Sequence, residues 1–223
     1  MKQYLVKTQT IQHITHDVLK IVTEKPQHYN FTPGQATEIA INKKGWKNQK
    51  RPFTFTCLPV SDYLEFTIKT YTSHKGVTNE LLHLKKNDEL ILHEAFGAIA
   101  YKSEGVFLAG GAGVTPFICI FRHLQSKNEI GDNKLIFANK TQSDIILADE
   151  FKTILGENFI NILSDEEVDG YVHGQITRNF LKDYVKDPKK FIYVCGPPPM
   201  MKAIENFLSD LHVDKKMIIK EGF

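Results

Sequence analysis

Cysteine is scarce in this chain. Cys57, Cys119 and Cys195 are the only three, and no two stand at C-x-x-C spacing. That excludes a thiolate zinc site, an iron–sulfur cluster and a disulfide framework, and it fits a reducing compartment. Long apolar runs are missing as well: no stretch approaches the roughly 18 residues of a membrane span. The opening Met1-Lys-Gln-Tyr-Leu-Val-Lys7 lacks the apolar core of a secretory leader. A cytoplasmic protein without membrane insertion is therefore expected. Charge of one sign is also absent. Lys and Arg number 28 against 26 Asp and Glu, a net +2, which argues for neither a nucleic-acid nor a membrane partner. The short lysine groups at Lys43, Lys44, Lys47 and Lys50, and at Lys186, Lys189 and Lys190, read as solvated surface. The nine histidines form no H-E-x-x-H pair and no G-x-S-x-G occurs, so the common hydrolase classes lack their residues. Cys195 with His173 is the one thiol–imidazole pairing to consider, and a packing cysteine is the simpler reading.

What is present changes character part-way along. At 223 residues the chain has room for two domains. Residues 3–10, 18–23, 36–41, 52–57, 64–71 and 89–93 are short and rich in β-branched or aromatic side chains. Turn signals separate them, among them Pro33-Gly34, Ser61-Asp62 and Asn87-Asp88. Six such strands predict an antiparallel barrel or sandwich, with one helical pattern at Val77–Leu84. From about Gly105 strands and helices alternate. Strands are predicted at 106–109, 134–138, 159–163, 191–194 and 217–220, and helices at 116–126, 146–155, 176–182 and 200–211. Alternation of this kind predicts a parallel sheet with helices on both faces. The boundary falls near Tyr101–Gly105, giving domains of residues 1–101 and 102–223.

Four segments have the makings of a binding site. Val106–Ala109 runs into Gly110, Gly111 and Gly113 and then into a helical pattern with Pro116 in its first turn. A strand, glycine turn and helix aim free N–H groups and a helix dipole at an anion; a tight structural turn would look the same. Arg51-Pro-Phe-Thr-Phe-Thr56 alternates an arginine that can grip phosphate with aromatic and hydroxyl groups. Lys75-Gly-Val-Thr78 opens the only helical pattern of the strand-rich half, as an anion site or a plain cap. Tyr193-Val-Cys-Gly-Pro-Pro-Pro-Met200 again ends a strand and starts a helix, at the same sheet edge as the Gly110 turn. The chain closes on Glu221-Gly-Phe223.

In this order and spacing the segments resemble those of the ferredoxin–NADP reductase superfamily, in particular its small bacterial flavodoxin-reductase-like members. Arg51-Pro-Phe-Thr54 is similar to the R-x-Y-[ST] flavin motif and Lys75–Thr78 to the G-x-[CV]-[ST] pyrophosphate motif. Gly110–Pro116 is similar to the pyridine-nucleotide motif, and Cys195-Gly196-Pro197 to the C-G-P motif beside the nicotinamide. The resemblance implies a six-stranded antiparallel β-barrel that binds FAD, followed by a Rossmann-like parallel-sheet domain that binds NAD(P)H. It implies that Arg51 holds the flavin pyrophosphate, Phe53 flanks the isoalloxazine and Thr54 lies near flavin N5. Pro52, Lys69, Tyr71, Lys75, Gly76, Val77, Thr78 and Phe223 complete the flavin set. For the dinucleotide it implies Gly111, Gly113, Val114, Thr115, Pro116, Asn139, Lys140, Thr141, Asp144, Cys195, Gly196, Pro197 and Met200. Thr54, Cys195 and Glu221 are the residues expected around the transfer point. Two departures stand out: Phe53 replaces the usual tyrosine, and Ala95-Phe-Gly97 replaces P-x-G.

The activity so implied is hydride transfer from NAD(P)H to FAD and release of electrons to a separate acceptor, first of all a flavodoxin or ferredoxin. A monomer or weak dimer is expected. The alternatives are the reductase component of an oxygenase, a free-flavin or quinone reductase, or a flavin-binding redox sensor without turnover. Lys140 suits a 2′-phosphate, whereas Thr141 or Asp144 suits a free ribose hydroxyl; the single lysine tilts the reading to NADH.

Overall fold

The first strand, β1 (Tyr4–His13), shows why the amino-terminal half folds as it does. Val6 and Thr8 are buried between exposed neighbours, the period-two pattern of a sheet with one wet face. In the computed structural model, which describes residues 2–187 and 189–221, five more strands follow before residue 100. They are β2 (Val18–Glu24), β3 (Ala36–Ile41), β4 (Arg51–Thr54), β5 (Tyr63–Lys69) and β6 (Glu89–Leu92). Their order is β4-β3-β6-β1-β2-β5, every neighbouring pair antiparallel. The outer strands approach each other through a Phe55–Phe66 bridge and a 2.8 Å bond from the Thr56 N–H to the Glu65 carbonyl. The sheet thus curls into a nearly closed barrel, which disposes of its edges. Phe31 and Phe55 stack at 4.1 Å inside it, packed among Tyr29, Phe66 and Ile39.

The helical pattern at Val77–Leu84 becomes α1 (Val77–Glu80) and then a tighter turn at Leu81–His83. Leu84 is already extended there, with ψ 145, so the pattern is cut short before a second regular turn.

The second half contains β7 (Gly105–Gly110), α2 (Thr115–Ser126), β8 (Lys134–Asn139), α3 (Ala148–Leu155), β9 (Phe159–Leu163) and β10 (Val172–His173). It continues with α4 (Arg178–Tyr184), β11 (Phe191–Cys195), α5 (Pro198–Asp210) and β12 (Ile218–Lys220). The sheet order β10-β9-β8-β7-β11-β12 is parallel throughout. β7 is buried at all six positions, as a central parallel strand covered on both faces must be. Phe107, Phe137 and Tyr193 pack beneath α2 and α3, while Leu108, Ile136 and Val194 pack with α4 and α5 on the other face. The order reverses between β7 and β11, so the carboxyl ends of those two strands mark the crevice where open sheets bind ligands.

Several bounds differ from the sequence expectation: β4 ends at Thr54 rather than at residue 57, α4 starts at Arg178 rather than at residue 176, and α5 starts at Pro198 rather than at residue 200. The two-residue β10 is too short to leave a pattern. The helix expected from residue 146 starts at Ala148, because Leu147 takes a left-handed conformation with φ 53. The connection between the halves is pinned from within the sheet. The Tyr193 phenol accepts the N–H groups of Lys102 (2.9 Å) and Ser103 (3.1 Å) and donates to the Ser103 carbonyl (2.8 Å).

Candidate functional site at the barrel–sheet seam

The glycines of the β7–α2 turn are there for close approach. A Cβ on Gly113 would stand 2.5 Å from the Cys195 carbonyl carbon and 2.7 Å from the Gly196 Cα, and one on Gly110 would run into Met200 and Pro197. The turn therefore lies directly on Cys195-Gly196-Pro197, and only bare backbone fits between them. Gly111 faces the opposite situation. Its φ of +50 calls for glycine, and among the described residues no atom comes within 4 Å of where a Cβ would be. The helix start beyond it has no side-chain cap. Open space over uncapped N–H groups suits an anionic ligand, so this end fits the phosphates of a dinucleotide.

The same turn touches the barrel. Thr115, 9% exposed, donates to the Ala112 carbonyl at 3.0 Å, and its hydroxyl lies 3.5 Å from that of Thr54. Thr54 ends β4, the strand that begins with Arg51. The flavin motif and the pyridine-nucleotide motif, 61 residues apart in sequence, thus meet in space.

Glu221 arrives from beyond β12. Its carboxylate accepts the Ala98 N–H at 3.1 Å and the Ile99 N–H at 3.4 Å, so the carboxyl end of the parallel sheet grips the chain leaving the barrel. Burial, and after it the Glu221 charge, pushes the Cys195 thiol up to about 12. A group so placed stays a thiol at neutral pH and is no nucleophile. His173 is exposed and bonds the Glu166 carbonyl, so no thiol–imidazole pair forms.

On the barrel, Arg51 and Pro52 are exposed and Phe53 is partly buried against the barrel core. One guanidinium nitrogen of Arg51 bonds the neighbouring Lys50 carbonyl at 2.7 Å, and among the described residues no carboxylate pairs with it, leaving the fork available. Lys75 is exposed, Val77 is buried in the core, and Gly76 caps α1 without any side-chain bond. Among the described residues nothing lies within 4 Å of a Cβ on Gly76, so the first-turn N–H groups of Val77 and Thr78 open onto space that an acidic group can fill. Tyr71 is exposed with its ring 6.3 Å from that of His74. These residues fit FAD: an unpaired arginine fork, an uncapped helix start and a half-covered phenyl face. Phe223 lies outside the described residues.

Two expected ligand residues are already engaged. Lys69 bonds Asp17 at 2.8 Å and lies 3.7 Å from Asp144. Asp144 accepts the Thr141 N–H (3.0 Å) and hydroxyl (2.8 Å). Burial alone would raise the Asp144 carboxyl, but those bonds, with Lys69 and His16, hold it below its usual range. Lys140 is exposed. The Asn139 side chain, 9% exposed, has neither amide atom bonded among the described residues, an unmet demand at the carboxyl end of β8.

Sequence reading missed Arg122. From α2 its Nε and Nη2 clasp both Glu150 oxygens (2.5 and 2.8 Å), and its Nη1 donates to the Thr56 carbonyl (2.7 Å) and to Glu65 (2.6 Å). A lone arginine in the apolar run Thr115-Pro-Phe-Ile-Cys-Ile-Phe-Arg122 was the available signal.

Barrel and parallel sheet together define a two-part fold for a flavin and a nicotinamide dinucleotide. Residues 3–133 match the FAD-binding domain family and residues 107–206 the oxidoreductase NAD-binding domain family, and the chain belongs to the ferredoxin–NADP reductase superfamily. Its fold matches a ferredoxin NADP+ reductase from Neisseria gonorrhoeae with bound FAD and NADP, at TM-score 0.83 and 20% identity, over 99% of this chain and 98% of that one. The propane 2-monooxygenase reductase component of Mycolicibacterium smegmatis is 29% identical over 237 residues, 97% of this chain and 66% of the relative. The NADH oxidoreductase HCR of Escherichia coli is 27% identical over 223 residues, 96% of this chain and 66% of the relative. The chain thus spans just under two thirds of both. No helix among the described residues is long and apolar enough to cross a membrane.

Proposed function

We propose that this protein is a flavin-dependent oxidoreductase that takes a hydride from NAD(P)H and passes electrons on to a separate acceptor of the flavodoxin or ferredoxin kind. The observation that carries it is the meeting of Thr54, Thr115 and Cys195 at one seam, with Glu221 fastened beside them. Bound FAD supplies the chemistry of accepting two electrons together and releasing them singly. The chain's own part is to hold and orient. Arg51 and the N–H groups at Gly76–Thr78 bind the flavin pyrophosphate, and Phe53 covers part of a ring face. The Gly111–Thr115 turn takes the dinucleotide phosphates, while the Cys195 thiol lines the nicotinamide position with a small, uncharged group. Glu221 keeps the seam closed from the side of residues 98–99, which excludes water where the rings are to meet.

Residues 1–101 serve the flavin and residues 102–223 the dinucleotide. NADH is the preferred donor in this reading. Glu166 accepts the Gln142 N–H at 2.7 Å and lines a shallow pocket with Thr141 and Ser143, where its negative charge opposes a 2′-phosphate.

A second reading, the reductase component of an oxygenase, is favoured by the name of the Mycolicibacterium relative. It shares the donor half and differs only in the acceptor. Purified protein should be yellow, release FAD on denaturation and oxidise NADH with ferricyanide as acceptor. Protein that is colourless and takes up neither FAD nor FMN refutes the proposal. Flavin-loaded protein that reduces no acceptor is a sensor instead.

A further inference from the structure

Helix α2 is fastened to the barrel at three places on one face. Thr115 meets Thr54, the Cys119 thiol donates to the Cys57 carbonyl at 2.9 Å, and Arg122 donates to the Thr56 carbonyl and Glu65. Positions i, i+4 and i+7 fall on one side of a helix. Three of the four partners, Thr54, Thr56 and Cys57, lie on one barrel segment that runs on from the Arg51–Thr54 strand, and the fourth, Glu65, lies on β5. The first two contacts are weak, a 3.5 Å hydroxyl pair and a thiol. Arg122 provides the strong, directional one, with all three nitrogens engaged and Glu65 only 7% exposed. Buried ion pairs of this kind contribute little net stability and are strict about geometry. The residue is therefore suited to fixing register.

We propose that Arg122 is a positioning residue, setting where α2 lies along the Thr54–Cys57 segment and hence where Thr115 and the Cys195 turn stand against Thr54. The proposal rests on the hydride-transfer reading above. The connection is mechanical. α2 carries the Gly111–Val114 turn at its start, and that turn has no clearance from Cys195 and Gly196. A slide or tilt of the helix therefore moves the nicotinamide side of the seam as a block. Misplacement by about 1 Å lowers a positioned transfer by about a hundredfold.

Removing Arg122 alone leaves the Glu65 charge buried, so the informative variant is Arg122→Met with Glu65→Gln, set beside Arg122→Lys. The expected result in the double variant is full FAD content and NAD+ affinity within threefold of wild type by calorimetry. The limiting rate of flavin reduction at saturating NADH should fall by about ten- to a hundredfold. Arg122→Lys keeps the charge without the fork and should recover only part of that rate. In FAD-free double variant, amide hydrogen exchange should speed up at residues 111–118 and stay unchanged in α5. A folded, flavin-loaded double variant with a limiting rate within threefold of wild type overturns the proposal. If wild-type protein with bound FAD is not reduced by NADH or NADPH, the hydride-transfer reading falls instead. The positioning role is then judged by exchange, and unchanged protection at 111–118 overturns it.

Discussion

Replacing Gly113 by alanine adds one methyl group at the place where the two halves of the dinucleotide site touch. Carbon–carbon contacts settle at about 3.5 Å or more, whereas the new methyl would stand 2.5 Å from the Cys195 carbonyl carbon. The obstacles are backbone atoms, so no side chain can swing aside, and the turn or the Cys195 strand must withdraw by about 1 Å. Overpacking of this kind costs about 1–3 kcal/mol, and for a chain of this size each kcal/mol lowers Tm by roughly 2–4 °C. The effect on chemistry should be larger, about a hundredfold in the limiting rate of flavin reduction at saturating NADH. Gly111→Ala is the matched comparison. It forces a side chain onto φ +50 but meets no atom within 4 Å among the described residues. It should cost about 1–2 kcal/mol of stability with a much smaller fall in rate. Stopped-flow absorbance and thermal melting on both variants read the two effects apart. A Gly113→Ala protein that reduces its flavin within threefold of the wild-type rate would refute the claim that this contact sets the geometry of the seam.

Three further outcomes are expected. Arg51→Ala should weaken FAD binding by about ten- to a hundredfold, the loss of a charge-assisted bond of roughly 1.5–3 kcal/mol; equilibrium dialysis with FAD measures it, and unchanged affinity removes Arg51 from the site. The Cys195 thiol, pushed up by burial and by the Glu221 charge, should react with iodoacetamide at pH 8 much more slowly than free cysteine, because the reactive thiolate is disfavoured there; mass-resolved labelling at the rate of free cysteine contradicts this. Asp144→Asn should destabilise the protein at pH 7 by about 1 kcal/mol, the worth of a lost cap. A carboxyl held below its unfolded value stabilises above that value and loses its contribution as pH falls through the folded one. The gap between variant and wild type should therefore close on acidification, and melting curves at pH 7 and pH 3 test it.

The order of elements was legible because each half obeys one local rule. Alternation marks β1 and β5, and the continuous apolar run Val106-Phe-Leu-Ala109 marks a strand covered on both faces. The strand pattern alone left barrel and sandwich both open, since closure rests on the Phe55–Phe66 bridge, a pairing that no residue type announces. In the site, the glycines and Cys195 could be read because close approach leaves a composition. What joins the halves could not. Lys69 and Asp144 carry charges that suit a ligand, yet they spend them across the seam. The Ala98 and Ile99 backbone groups that receive Glu221 have no side-chain signature at all.

The phenol of Tyr193 makes three bonds to the Lys102–Ser103 crossover, and it sits two residues upstream of Cys195 on the same strand. All three bonds lie within residues 102–223, so the phenol anchors the first residues after the crossover to the same strand that carries the thiol.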